Sequence, residues 1–174
     1  MAKNYAMARK EAQELYGTFT SVGCPAFGGE LVYFTSEGFN HLIYKGAGKE
    51  RDPRVQIMKF ELLPKARLII EMSSTFQEYD EGFEYRVVEK YGKRIKESVL
   101  VRCWGLVAII QKFRVKVVIR QIGNGKKEFY SVIPAWFTRQ YRNMKIIETS
   151  ARGGLLEEDD AEALKNATKK SDAL

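Results

Sequence analysis

Histidine is almost absent from this chain: His41 stands alone among 174 residues. A multi-histidine metal site is excluded, as is a mechanism needing two imidazoles, unless subunits combine. Cysteine is scarce too. Cys24 and Cys103 form neither a CxxC pair nor a zinc spacing, and each lies among apolar residues, so buried free thiols are expected. Long apolar runs are missing. The longest, residues 99–110, is too short to span a bilayer and contains Arg102. The opening MAKNYAMARKEAQELYG is charged throughout and lacks the apolar centre of a secretory signal, so a cytoplasmic setting away from membranes is expected. No Walker A loop, GxGxxG, GxSxG or HExxH is present. The acidic run at 157–160 (EEDD) reads as a solvated tail rather than a metal cluster. Neither a cofactor nor a metal is expected.

What is present is a core and an excess of positive charge. The 45% of apolar residues is ordinary for a globular chain. The net charge of +7 is concentrated in one third of the sequence. Residues 1–88 hold 11 Lys and Arg against 12 Asp and Glu, 89–145 hold 14 against 3, and 146–174 hold 4 against 7. Such a block points to an anionic partner, nucleic acid first. The competing reading is a solvated basic face that serves solubility.

Periodicity gives an α+β class, with N-terminal helices packed on a four-stranded or slightly larger antiparallel sheet. Tyr5, Ala8, Ala12 and Leu15 recur at helical spacing over 3–16, and Gly17 is placed to end that helix. Residues 18–30 read as a loop or irregular strand, and 31–34 as a short strand. Thr35-Ser36-Glu37 reads as the start of a helix running to Lys45, with a hydroxyl cap. Asp52-Pro53 starts another, which Pro64 is expected to end. Residues 67–71 read as a strand and 72–82 as a polar loop. Further strands are expected over 84–90, 98–111, 114–122 and 127–133, the last two joined by the turn Gly123-Asn124-Gly125. One domain over 1–148 is expected. Residues 149–174 read as a tail, disordered or with a marginal helix near 156–164.

Three constellations could carry chemistry. Glu37, His41 and Lys45 are spaced four apart on the expected helix, so they would form one polar stripe. There His41 could act as general acid or base, Glu37 could orient it, and Lys45 could stabilise charge on a phosphorane. Arg114, Lys116 and Arg120 alternate along one strand and so share a face that could grip phosphates. In the segment 129–139, aromatics adjoin cations and hydroxyls. Most of those rings belong in a core, leaving Tyr130, Ser131, Thr138 and Arg139 as candidate ligands.

The segments LVYFTSEGFNHLIYK and KVVIRQIGNGKKEFYSVIP, with the helical and strand segments between them, resemble the phage- and mobile-element-associated nucleases of the barnase–EndoU–colicin–RelE class, which implies a nuclease-like core over 31–134. In that class a helix bearing a histidine precedes a four-stranded antiparallel sheet, whose last strands present basic and hydroxyl residues. The resemblance implies metal-independent RNA cleavage, with RNA as substrate and an inhibitory, immunity-type protein as a further partner. By the same resemblance His41 matches the helix histidine, with Lys45 one turn on. Arg120 matches the basic residue before the hairpin turn, and Ser131 the hydroxyl of the closing strand. The chain departs from the class in having no second imidazole and no obvious glutamate on the sheet. A non-catalytic nucleic-acid-binding module and a protein-interaction module therefore stay open beside it. In the latter, the acidic tail could cover the basic sheet.

Overall fold

The computed structural model describes residues 4–45, 48–110, 113–134 and 149–150. Three helices pack on a seven-stranded sheet, and a two-stranded ribbon lies apart from it. Helix α1 (Tyr5–Gly17) begins where the Asn4 side chain accepts from the Ala6 amide. It buries Ala8, Ala12 and Tyr16, four residues apart on one stripe. Strands β1 (Ser21–Gly23) and β2 (Leu31–Tyr33) form a short hairpin around a 3-10 turn, Pro25–Phe27.

Helix α2 (Ser36–Ile43) is shorter than its sequence predicts. It stops at Ile43, so Lys45 lies on the small ribbon β3 (Tyr44–Lys45) with β4 (Lys49–Glu50). The predicted hydroxyl cap is also absent. Thr35 occupies the cap position, but its side chain makes no cap hydrogen bond.

Helix α3 (Pro53–Met72) runs straight through Pro64, where the sequence predicts a stop followed by a strand. Asp52 caps it by accepting from the Arg54 amide at 2.8 Å. A proline removes one backbone donor and crowds the preceding turn. Pro64 is nonetheless solvent-exposed, while Phe60, Leu63, Ala66 and Ile70 keep one buried stripe on both sides of it. Burial of that continuous face outweighs the local penalty.

The rest is a meander of β5 (Glu78–Lys90), β6 (Lys93–Ile110), β7 (Phe113–Ile122) and β8 (Lys127–Pro134), each antiparallel to the next. This is the expected four-stranded sheet. It is widened into a mixed one by β2 parallel to β8 and by β9 (Thr149–Ser150) parallel to β5. Two residues of the segment read as a tail thus join the sheet. The predicted helix near 156–164 lies outside the described residues.

The main core lies between helices and sheet, where Tyr16, Phe39, Phe60, Leu63, Ile119 and Phe129 pack together. A smaller cluster of Val101, Cys103 and Val118 occupies the other sheet face. Cys24 and Cys103 are both free and buried, as expected. Among the described residues no helix is long and apolar enough to cross a membrane.

Candidate functional site

Strand β2 pairs with β8 only at Lys127 and Glu128, and α2 packs against β8 beyond that point. Gly38 permits the approach. A Cβ there would run into the Phe129 carbonyl oxygen and the Tyr16 hydroxyl. On one side of the contact, Phe39, Leu42 and Ile43 enter the main core. On the other, His41 and Glu37 meet the sheet.

A bulge sets what they meet. Val118 pairs with Ser131 and Ile119 with Phe129, so Tyr130 is an extra residue in β8. Bulges re-aim a side chain and recur beside functional sites. The Tyr130 ring stacks on the His41 imidazole, with centroids 3.8 Å apart. The Arg120 guanidinium lies 4.1 Å from the centroid of the same ring. Arg120 Nη2 is 2.9 Å from Glu37 Oε1 and 3.9 Å from Glu128 Oε2. Glu128 stands directly opposite Arg120 in the β7–β8 ladder. A second guanidinium, Arg86 on β5, approaches Glu37 at 3.8 Å. The backbone carbonyl of His41 accepts from Arg51 Nε at 3.1 Å, which fixes the last turn of α2.

Glu128 is the electrostatically unusual member. Burial pushes its carboxyl above the ordinary range; Arg120 opposes that shift and the Glu37 carboxylate adds to it. A carboxylate of raised basicity beside a guanidinium, with an imidazole stacked on the neighbouring ring, can exchange protons next to a bound anion.

The structure thus brings together His41, Arg120 and Tyr130 of the expected site. It does not bring in the others. Lys45 is exposed on β3, off the helix, so the predicted three-residue stripe is two residues long. Ser131 is buried, and its hydroxyl accepts from Lys59 Nζ at 3.0 Å, so it serves α3 rather than an open site. Lys116 is also buried, 3.1 Å from Glu78. Gly105 makes that pair feasible, because any Cβ there would lie 2.9 Å from Glu78 Oε2. Arg114 sits near the far end of β7 opposite Ile109 and is half-buried. The expected exposed basic face of Arg114, Lys116 and Arg120 is therefore not a solvent-facing surface. Acids distant in sequence, Glu78 and Glu37, neutralise its two buried members. Thr138 and Arg139 lie outside the described residues.

Two members were missed or misplaced by sequence reasoning. Glu37 holds Arg120 and Arg86 rather than being spaced to orient His41. Glu128 supplies the sheet glutamate that the sequence lacked any obvious sign of. Its signal was the turn itself: pairing outward from Gly123-Asn124-Gly125 sets 121 against 127 and 120 against 128.

A groove of about 940 Å³ lies on the opposite sheet face, lined by Phe76, Tyr79, Arg102, Trp104 and Gln121. None of the cluster residues lines it. Among the described residues no group of three or more His, Cys, Asp or Glu is placed to hold a metal ion. No family model, curated protein or solved structure matches this chain significantly.

Proposed function

We propose that the chain is a metal-independent ribonuclease-like domain of the barnase–EndoU–colicin–RelE type, with Glu128, His41 and Arg120 as its working groups. The observation that carries this reading is their convergence around the bulged Tyr130. Ionised Glu128 takes the proton from a ribose 2′-hydroxyl, and that oxygen attacks the adjacent phosphorus. Protonated His41 gives its proton to the departing 5′-oxygen as the P–O5′ bond breaks. The products are a 2′,3′-cyclic phosphate and a 5′-hydroxyl. Arg120 stabilises charge on the crowded phosphate. Glu37 now occupies the place a phosphate must take on Arg120, and its half-exposed side chain is free to swing out. RNA as substrate and two free thiols fit a cytoplasmic setting, where an inhibitory protein would protect the host's RNA.

General acid and base groups each contribute about 10²–10⁴ in rate. His41→Ala and Glu128→Gln should each lower RNA cleavage by about that factor while the unfolding transition stays cooperative. Wild-type rates in both variants would remove these residues from the mechanism.

A second reading has its own support. The Arg120 side chain is only 6% exposed and faces two carboxylates, as in a structural cluster. A non-catalytic nucleic-acid-binding module would have no use for a basic Glu128. It would bind RNA with steep salt dependence and leave it intact.

A further inference from the structure

The β5–β6 hairpin outgrows the sheet. Strand β7 pairs with β6 only from Val101 onward, so residues 83–90 and 93–100 pair with each other alone. Eight residues per strand make an arm about 25 Å long. Its two faces differ. Glu84, Arg86 and Val88 are half-buried on one, where Arg86 reaches Glu37 of the candidate site. On the other, Phe83, Tyr85 and Val87 are 74%, 73% and 65% exposed. Tyr91 is fully exposed at the tip and holds a positive φ of 54°, a conformation that disfavours bulky side chains. The two-residue hairpin loop requires it, since Gly92 beside it is also positive at 71°. Arg94 and Lys96 share the Tyr85 face, Arg94 opposite Glu89, with no carboxylate in ion-pair range of either among the described residues, and Lys96 Nζ lies 5.3 Å from the Tyr85 ring centroid.

We propose that this arm binds single-stranded RNA, its bases stacking on Phe83, Tyr85 and Tyr91 and its phosphates meeting Arg94 and Lys96. Aromatic rings interleaved with cations are the recurring means of holding unpaired bases. Alternate residues of a strand are about 6.8 Å apart, twice the 3.4 Å rise of stacked bases, so one base fits between Phe83 and Tyr85. The arm, residues 83–100, holds five cations against three acids, and two of those acids are engaged by Lys90 and Arg86, so its unpaired charge is positive and favours an anion over a second copy of the chain. The Arg86–Glu37 contact fixes the other face of the arm to the candidate site, which leaves the Phe83–Tyr85 face open to a ligand. The inference rests on the ribonuclease reading for its choice of RNA.

The test measures binding of a fluorescein-labelled 15-nucleotide single-stranded RNA in EDTA, using Glu128→Gln protein so that cleavage does not intervene. Adding Phe83→Ser and Tyr85→Ser should weaken binding about tenfold or more. Adding Arg94→Glu and Lys96→Glu instead should weaken it and flatten the slope of log affinity against log salt by about 1.4. These side chains are exposed, and each pair serves as the other's control for folding. Unchanged affinity in both would overturn the proposal. So would duplex RNA binding as tightly as the single strand. Loss of self-association without loss of RNA affinity would also overturn it and assign the face to a second copy. If wild-type protein cleaves no RNA while the arm variants still lose affinity, the arm stands and the cleavage mechanism falls.

Discussion

Glu37 decides how the candidate site behaves, although it is not itself in the proton path. Its carboxylate sits on Arg120, where the proposed mechanism would place a phosphate, and its negative charge helps raise the Glu128 carboxyl. Both effects have a measurable sign. A base of raised pKa puts the acid limb of the rate profile above the ordinary carboxylate range. Glu37→Gln removes the like charge, so that limb should move to lower pH in a pH–rate series. A limb that stays in place would mean that burial alone sets Glu128. Stability follows by linkage. The folded protein holds the Glu128 proton more tightly than the unfolded chain does. This contribution is full below the unfolded value of about 4.3 and is lost as pH rises through the folded value. Urea midpoints should therefore fall less over that window in Glu128→Gln than in wild type. His41 and Arg120 could be picked out from residue type and spacing. Glu128 was legible only through strand register, and Glu37's role was not legible, because its partners Arg120 and Arg86 lie on strands 83 and 49 residues away.

At the scale of elements, the contact between α2 and β8 assembles the site, and Gly38 controls it. Gly38→Ala would gain helix propensity of about 0.5–1 kcal/mol. Its Cβ would also strike a backbone oxygen of β8, which cannot yield as a side-chain tip can. Overpacking of this kind costs about 1–3 kcal/mol. The expected net result is a loss of stability in denaturant unfolding, with a larger loss of cleavage as His41 lifts from Tyr130. Full activity in a destabilised Gly38→Ala protein would detach the site from this contact. The meander was readable because its turns and alternation are local. Helix α3 was misread because Pro64 is a strong local signal, and only the buried stripe on both sides shows that tertiary packing wins. The end of α2 at Ile43 has no such local mark. It occurs where the chain enters the β3–β4 ribbon.

Over the whole molecule, the fold undoes much of the charge segregation that the sequence displays. Glu30, Glu37, Glu78 and Glu81, all from the near-neutral first half, pair with Lys127, Arg120, Lys116 and Arg102 of the basic block. The sequence excess of 89–145 is real, but among the described residues its exposed cations are Lys90, Lys93, Arg94 and Lys96 on the β5–β6 arm and Lys126 in the β7–β8 turn, not the cations of β7. An anion approaching Arg120 would have to displace Glu37. Long-range pairing, invisible in a linear count, decides which of the basic residues face outward.

The central claim is 2′-hydroxyl chemistry at this cluster without a metal, and one measurement tests it most directly. An oligonucleotide with a single ribonucleotide in a DNA background is incubated with the full chain in excess EDTA. The account predicts one cut, 3′ of the ribonucleotide, leaving a 2′,3′-cyclic phosphate and a 5′-hydroxyl, with no cut in the all-deoxy control. An intact ribonucleotide strand, or equal cutting of the deoxy control, would contradict it.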